Sequence, residues 1–572
     1  MRYLSSSSEP PSERAQCRPM PCRVNVPLVR CWWAKPRRTP GSSPGEFRTM
    51  EPRCRSSGLR QIIRRRVGSP QPQPASERRC MTITVVDANQ ISLARPRLLP
   101  LAIGLGVYVL LLISGDRLLN DPDTLWQVTI GQWIIDHRAV PWTDSYSFTM
   151  AGQPWISTQW LAQVAFAASY QFVGWAGPVV MTAAALGGTF YLLARLLGAR
   201  LNDTATVIFA AAALALAAPH MLARPHVMAM PVMLAWVGAL VGAADRRGVP
   251  PLWTLPLITL WANLHGGFVF GIALVAPFAL DAVLSAERPR RVALLLRWAL
   301  FGVLALAAGC ITPYGWDSIL ASRKILSLGE ALSRIGEWAP EDFSQIGVLE
   351  ITLLGGLGLA LLRGVTLPPV RILILLGLIH MALSHSRNLE LLALLAPLVL
   401  AAPLAAQCGV AAPAGAPPSS RGLTAALLAL AIGGTLAFAT WHSFAPRSLF
   451  APQAAVAELK RLGAKRVFND YSFGGYLIAN GVPTFIDGRT ELFGETLVVD
   501  HDDAVRLRAP DKLFRLLDAY AVDATLLIPS SPAAKLLDRT EGWQKVYADD
   551  LAVIHQRKPG APRTTPTINP PR

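Results

Sequence analysis

Between residues 98 and 440, apolar residues form long runs that short polar segments separate. A helix crosses a bilayer core of roughly 30 Å with about 20 apolar residues. Eleven runs are near this length, so the pattern predicts a helical membrane domain over 98–440 with about eleven transmembrane helices. They centre on residues 98–114, 175–197, 204–219, 227–244, 251–264, 268–286, 293–310, 347–362, 368–384, 388–406 and 422–440.

Charge in the loops predicts how these helices are oriented. Arginines fall in alternate loops, beginning with Arg95 and Arg97 before the first helix. Loops rich in Arg and Lys face the cytoplasm. The other loops carry mostly Asp and Glu. Two long loops, residues 115–158 and 311–346, are therefore expected to face outward, together with the C-terminal region.

The first outward loop begins with "LNDPDTLWQVTIGQWIIDH", which has helical periodicity. Trp126, Ile130, Trp133 and Ile134 fall on one face of this helix. Tryptophan is favoured at the membrane interface, so we expect the helix to lie in the headgroup plane. A second interfacial helix is predicted over residues 157–174.

The sequence pattern changes after the last apolar run. Residues 451–556 alternate helical segments with the strand-like segments "RVFND", "TFIDG", "ATLLIP", "WQKVY" and "LAVIHQ". This alternation predicts a small α/β domain outside the cytoplasm. Residues 557–572 are rich in proline and threonine, and we expect them to be disordered.

Composition indicates a membrane protein and distinguishes the N-terminal segment from the rest of the chain. Only 16% of residues are charged, against about 25% in soluble domains. Residues 1–80 hold 16 Arg and one Lys against five Glu, so +12 of the net +17 lies there and does not indicate a nucleic-acid partner. This segment has no apolar periodicity and is expected to be disordered. We interpret it as an extension upstream of the true start, Met81.

Four motifs carry a resemblance to a known family. "DPDTLW", "WANLHGG", "EWAPEDF" and "NDYSFGGYL…FIDGRTELFG" resemble motifs of a group of bacterial multipass proteins described as glycosyltransferases. The acidic first outward loop, the interfacial helices and the C-terminal domain are similar to those of the GT-C membrane glycosyltransferases. The resemblance covers about residues 98–556. It implies an inner-membrane enzyme that moves a sugar from a polyprenyl-phosphate carrier to an extracytoplasmic lipid, glycan or protein.

The same resemblance implies a catalytic carboxylate just past the first helix. Asp121 or Asp123 would be the general base or would hold a divalent cation, Mg²⁺ or Mn²⁺, on the phosphate. Pro122 separates the two acids, and either fits the position. The residues alone also allow a simpler interpretation, in which Asp123 caps the helix beginning at Thr124.

Further polar residues are candidates for substrate binding, each with a structural alternative. Asn263 and His265 would line the cavity or bond neighbouring helices. Arg387 and Arg224 would bind phosphate, although Arg387 also suits an ion pair with Glu390 or another acid. The remaining candidates are Glu337, which packing also explains, and Asp487 and Arg489, which turn chemistry also explains and which we otherwise expect to face the membrane cavity.

The sequence disfavours some other functional classes and leaves two of them open. The chain has no P-loop, no G-x-S-x-G, no H-E-x-x-H and no dinucleotide-binding fingerprint, which disfavours ATP-driven pumps and soluble-type hydrolases. A nucleotide-sugar donor would not reach an outward site. Two alternatives to the enzyme remain: a transporter or flippase of lipid-linked glycans, and a non-catalytic envelope assembly protein. The expected partners are the carrier-linked sugar and membrane lipids.

Overall fold

A computed structural model describes residues 98–411, 421–446 and 448–560. The N-terminal segment that we interpret as an extension, and residues 561–572 of the tail, lie outside the described residues. From residue 98 to 441 the described chain is helical. Its helices are α1 Leu99–Ile113, α2 Gly115–Leu118, α3 Thr124–His137, α4 Trp160–Val173, α5 Ala176–Gly198, α6 Asp203–Ala217, α7 Pro225–Asp245, α8 Leu255–Leu264, α9 Phe268–Ala273, α10 Val275–Ser285, α11 Arg291–Gly309, α12 Asp317–Leu326, α13 Glu330–Arg334, α14 Val348–Arg363, α15 Pro369–Ser384, α16 Leu389–Cys408 and α17 Arg421–Trp441.

Seven helical stretches among the described residues are long and apolar enough to cross a membrane, so the chain is a multispanning membrane protein by length and composition. They are Ala176–Gly198, Asp203–His220, Pro225–Asp245, Phe268–Ser285, Arg288–Gly309, Ser386–Cys408 and Arg421–Trp441. Every predicted run coincides with a helix or a pair of helices, but α1, α8, α14 and α15 are only 10–16 residues long. The predicted count of eleven spans is therefore not confirmed.

Two clusters of charged side chains mark the opposite ends of α7. Arg224 precedes its first turn, and Asp245 is its last residue. Asp245 pairs with Arg200 at 2.7 Å and with Arg371 of α15, which also pairs with Asp281 at 2.9 Å. A helix of 21 residues is about 30 Å long, which matches the thickness of a bilayer core. The two arginines that we expected on one side, Arg200 and Arg371, do meet at one end of the bundle.

The C-terminal region forms an α/β domain with a four-stranded sheet. Its elements are α18 Gln453–Arg461, β1 Val467–Asn469, α19 Gly474–Ala479, α20 Thr490–Val505, α21 Pro510–Ala519, β2 Ala524–Leu527, α22 Pro532–Leu537, β3 Trp543–Ala548 and β4 Val553–Arg557. The sheet order is β1-β2-β4-β3. Only β1 and β2 are parallel, with Val467 opposite Ala524. The sequence pattern did not predict the helices α20 and α21.

One predicted strand, "TFIDG", is wrong. Thr484 makes only isolated bridges, to Val467 and to Ser147 of the first outward loop. The side chain of Asn469 supplies the missing ladder, because its Oδ1 accepts from Phe485 N at 2.8 Å and its Nδ2 donates to Ile486 O at 2.8 Å. An asparagine side chain can thus replace a strand backbone as hydrogen-bond partner, which periodicity does not reveal.

Most of the apolar face of α3 is covered by protein. Trp126, Ile130 and Ile134 are 6% exposed or less and belong to one buried cluster with Phe485 and Ile486 of the C-terminal domain. The predicted position of α3 in the headgroup plane stays a prediction, but most of its apolar face contacts protein. Helical periodicity identifies a face to be buried but not what buries it. Each such side chain contributes about 1.5–3 kcal/mol when fully buried, so α3 is a main anchor of the domain.

Backbone hydrogen bonds add a second connection between the first outward loop and the C-terminal domain. Phe148 N donates to Thr484 O at 3.0 Å, and Thr484 N donates to Tyr146 O at 3.0 Å. The second outward loop also reaches the domain, because Glu330 N donates to Glu495 Oε1 at 2.7 Å and Arg334 pairs with Asp502 at 3.3 Å. Both loops hold the domain over one end of the helical bundle.

Candidate functional site

Three carboxylates surround Arg224 where the two loops meet the bundle. Asp121 Oδ1 accepts from Arg224 Nε at 2.8 Å and from Nη2 at 2.5 Å. Asp123 Oδ2 lies 3.2 Å from Nη2, and Glu337 accepts from Nη1. The acids come from both outward loops and the arginine from the start of α7, so only the folded chain assembles this group. We call these four residues the acid–arginine cluster.

Mutual charge keeps two members of the cluster ionised. Burial by itself would lower the pKa of Arg224, but the charges of Asp121, Asp123 and Glu337 outweigh it and raise that pKa well above its usual value. Burial would likewise raise the pKa of Glu337, yet Arg224 and Arg387 lower it to about 2. Arg224 uses Nε and both Nη atoms in these contacts, so it is a poorer phosphate ligand than the sequence predicted.

The structure separates the roles of the two aspartates. The Asp121 side chain has no accessible surface, and its Oδ2 accepts from Thr124 Oγ1 at 2.8 Å. Both of its oxygens are therefore engaged, and it holds Arg224 in place. The Asp123 side chain remains 19% exposed. Its Oδ1 accepts from Trp126 Nε1 at 2.9 Å, and it makes no side-chain cap on α3, so the capping interpretation is wrong.

Asp123 is also the aspartate whose pKa is raised. Burial raises the pKa of Asp123 to about 6; Arg224 opposes this rise, and Asp121 and Glu337 add to it. The carboxylate is ionised at neutral pH and yet more basic than an ordinary aspartate. A base with a pKa near the operating pH is the most effective in proton transfer.

Arg387 lies beside the cluster with donors left for a ligand. Its Nη1 is 3.6 Å from Glu337 Oε1, and its Cζ lies 4.2 Å from the centre of the Trp338 ring. The predicted alternative of an internal ion pair is thus confirmed, with Glu337 as the partner. Glu390 instead lies 3.5 Å from Nε2 of His226. The Arg387 side chain stays 28% exposed, and these are its ion-pair and ring contacts among the described residues.

Asn263 and His265 differ in how they relate to the cluster. Asn263 donates to Thr259 O and Ile311 O, both at 2.8 Å, and accepts from Trp160 Nε1 at 2.9 Å. Its amide is fully used in bonding neighbouring elements, which confirms the structural alternative. His265 is partly exposed, where the chain breaks between α8 and α9, and its ring centre lies 6.1 Å from that of His226. Through His226 it neighbours Glu390.

Asp487 and Arg489 do not face the membrane cavity, so that expectation is wrong. Both side chains have no accessible surface. Arg489 donates to Asp487 through Nε at 2.8 Å and Nη2 at 2.7 Å, and to Asp144 Oδ1 through Nη1 at 2.6 Å. Asp144 belongs to the first outward loop, so this buried triad ties the loop to the domain. A charged pair at a turn can serve an interface as well as a site.

Two glycines missed by sequence reasoning let the domain approach the cluster. A Cβ on Gly488 would overlap Asp123 Oδ1, and one on Gly475 would overlap the Pro122 carbonyl oxygen. The "FGGY" and "IDG" segments therefore contact "DPDTLW" directly. Glycine pairs in a motif are the signal that could have suggested a close backbone approach. His226, also missed, is placed by the "RPH" start of α7.

The aspartates do not fit a divalent cation in this arrangement. A metal ion would need oxygens that the guanidinium of Arg224 and the hydroxyl of Thr124 already engage. Among the residues that the structure describes, no group of three or more His, Cys, Asp or Glu side chains is arranged to hold a metal ion.

Comparison with known proteins adds no relative. No protein-family model matches this chain, and no curated protein matches it. The fold and the site define a class only: a helical membrane protein whose α/β domain is joined to the bundle next to a cluster of acids and arginines.

Proposed function

We propose that this protein is a bacterial inner-membrane glycosyltransferase that moves a sugar from a polyprenyl-phosphate carrier to an acceptor outside the cytoplasm. One observation carries the proposal: Asp123, with its raised pKa, keeps accessible surface beside an arginine that has donors to spare. A base for the acceptor and a cation for the leaving phosphate are what such a transfer requires.

The proposed step follows from these two groups. Asp123 takes the proton of an acceptor hydroxyl as the oxygen attacks the anomeric carbon. The bond between that carbon and the phosphate oxygen breaks, and its electron pair leaves with the carrier phosphate. Arg387 balances the charge on that phosphate, because guanidinium binds phosphate oxygens in pairs. Attack from the face opposite the phosphate inverts the anomeric centre.

Neighbouring residues would serve as positioning groups. Asp121 and Glu337 hold Arg224 between them, and Arg224 holds Asp123 at 3.2 Å. Glu337 also lies 3.6 Å from Arg387, so it connects the base side with the phosphate side. His265 and His226 border the same region. Asn263 is assigned a structural role, since its amide has no donor left.

A transporter of lipid-linked glycans is the second candidate, favoured by an apolar groove. About 1050 Å³ of space lies between α1, α5 and α17, lined among others by Gly104, Tyr108 and Leu428. Its size and lining suit a hydrocarbon chain. Transport does not require a tuned carboxylate, whereas transfer does. A non-catalytic assembly protein would require neither.

The test compares extracytoplasmic glycans and glycolipids by mass spectrometry in cells with the gene, without it, and complemented by variants. We expect one product to disappear without the gene and to stay absent with Asp123→Asn, at a loss of at least about 100-fold. The matched control is Asp136→Asn, an exposed residue of α3 whose carboxylate accepts from Gln132. It should restore the product. Full restoration by Asp123→Asn would reject the enzyme and favour transport or assembly.

A further inference from the structure

A second polar cleft lies outside the acid–arginine cluster. It encloses about 440 Å³ between the second outward loop and the C-terminal domain. Its floor is formed by the segments that follow β1 and β2, which contribute Asp470, Ser472, Ser530 and Ser531. These two strands are parallel, and ligands of α/β sheets bind outside the carboxyl ends of parallel strands.

The charges of this cleft balance one another. Arg334 and Arg506 both pair with Asp502, at 3.3 Å and 2.6 Å. Asp470 adds a second carboxylate, so two arginines face two acids. A site with this balance has no excess positive charge to attract a phosphate. Its groups instead offer paired donors and acceptors to a neutral ligand.

Hydroxyl and carboxylate groups on the floor suit a ligand that is rich in hydroxyls. Asp470 Oδ1 accepts from Ser472 N at 3.0 Å and from Ser472 Oγ at 2.7 Å. A carboxylate has about four lone-pair sites, so Asp470 can accept further hydrogen bonds. Ser530 is exposed at the rim, and its hydroxyl can both donate and accept.

Tyr471 connects the cleft to the acid–arginine cluster. It lines the cleft, and its hydroxyl lies 2.9 Å from Thr490 Oγ1. Burial raises the pKa of Tyr471, and the negative charge of Asp123 raises it further. Ile486, two residues before Gly488, also lines the cleft. The cleft and Asp123 thus lie on two sides of the same short segments.

We propose that this cleft binds a neutral saccharide, the part of the acceptor that lies beyond the reacting hydroxyl, so the acceptor is a glycan and not a protein side chain. The identification of this saccharide as an acceptor rests on the proposed function. Asp470 and the serines would hydrogen-bond sugar hydroxyls, while the ring of Tyr471 would carry the apolar face of a pyranose. The volume accommodates one or two sugar rings.

The experiment measures saccharide binding by the full-length protein in detergent, without turnover. The probes are the methyl α-glycosides of glucose, galactose and mannose at millimolar concentration, observed by saturation-transfer difference NMR. We expect transfer to at least one of them. Asp470→Asn should weaken that binding at least about tenfold. Asparagine still accepts from Ser472 N, so this variant keeps the local turn.

A matched control and a second variant complete the test. Asp511→Asn changes an exposed aspartate of α21, 73% exposed, that pairs with Arg515, and it should bind as the wild type does. Ser530→Trp fills the rim from an exposed position and should abolish transfer. Transfer to none of the three glycosides, or transfer that Asp470→Asn and Ser530→Trp leave unchanged, would overturn the proposal. If inorganic phosphate bound in place of the glycosides, the cleft would be an anion site, and the proposal would also be overturned.

The two proposals fail in different ways. If Asp123→Asn removes the cellular product but no cleft variant changes saccharide binding, only the acceptor cleft is wrong. If the cleft binds saccharide but Asp123→Asn restores the product fully, the enzyme is wrong and the cleft is a glycan-binding site of another kind. The second result would also overturn the assignment of the saccharide as an acceptor.

Discussion

At the scale of single residues, the main result is that two aspartates in one short motif differ in environment. Asp121 is enclosed and paired on both oxygens, whereas Asp123 keeps surface and has a raised pKa. The sequence predicted a reactive carboxylate at this position but not which one. Two residues of the same type two positions apart differ only through what other segments place around them.

This difference predicts opposite effects on stability. Because the pKa of Asp123 rises from 3.8 to about 6 on folding, its ionisation costs folding free energy. The cost is absent below about pH 4 and complete above about pH 6. Asp123→Asn should therefore raise the free energy of unfolding in detergent at pH 7.5 by up to about 3 kcal/mol, and with it the thermal midpoint, and should have little effect at pH 4.

Asp121→Asn provides the comparison at the same Arg224. It removes a buried partner of a charged guanidinium, which costs about 3 kcal/mol, so the midpoint should fall at pH 7.5. Fluorescence-monitored melts of both variants over pH 4–8 give the measurement. Equal destabilisation by the two variants at pH 7.5 would contradict the assignment of one as a positioning acid and the other as a base.

At the scale of elements, three of the four motifs that stand far apart in sequence meet at one place. "DPDTLW" contacts "FGGY" and "IDG" through two glycines, and Glu337 of "EWAPEDF" reaches Arg224. The fourth motif, "WANLHGG", bonds Trp160 of α4 through Asn263 and lies beside His226 through His265. The sequence predicted the helices of the apolar runs, α3, α4 and four of the five proposed strands correctly, because their periodicity is local, but it assigned neither α20 nor α21. It did not predict that the α3 face supports a domain.

The glycine contacts predict a sharp steric effect. Gly488→Ala and Gly475→Ala each place a methyl group against backbone or carboxylate atoms of residues 122–123, so the domain must shift away from α3. We expect a loss of about 1–3 kcal/mol and faster proteolysis between α17 and α18. Limited trypsin digestion of the purified protein measures this.

Gly347→Ala is the control for the glycine variants. Nothing lies within 4 Å of a Cβ at Gly347, and its φ of −105° suits any residue. Its digestion pattern and thermal midpoint should match those of the wild type. If all three variants behave alike, the close approach of the domain to α3 does not contribute to docking.

At the scale of the whole molecule, the two ends of the bundle are chemically different. One end gathers Arg200, Asp245, Asp281 and Arg371. The other gathers the acid–arginine cluster and the α/β domain. Loop charge predicts that the first end is cytoplasmic, and the proposed chemistry requires the second to face outward, where the carrier-linked sugar is presented.

Cysteine labelling tests this orientation. In a variant without the seven native cysteines, Arg290→Cys and Asp511→Cys introduce single thiols at side chains that are 81% and 73% exposed. A membrane-impermeant maleimide should label position 511 in cells whose outer membrane is permeabilised, and position 290 only after lysis. Labelling of 290 before lysis, or of 511 only after it, would contradict the outward site.

The sequence by itself determined the properties that depend on neighbours along the chain. Long apolar runs specify which segments are helices that lipid or protein must cover, and short strand-like segments specify β1 to β4. Arginine distribution divides the loops into two sets. Each of these follows from local periodicity and transfer free energy, which involve one segment at a time.

Only the tertiary structure decided what the long-range contacts do. It turned Asp487 and Arg489 into an interface triad with Asp144, covered α3 with the domain, and gave Asp121 and Asp123 different environments. Electrostatic environment and burial depend on residues more than 100 positions away, as Asp121 and Arg224 show. No periodicity within one segment contains that information, because it arises when the segments pack.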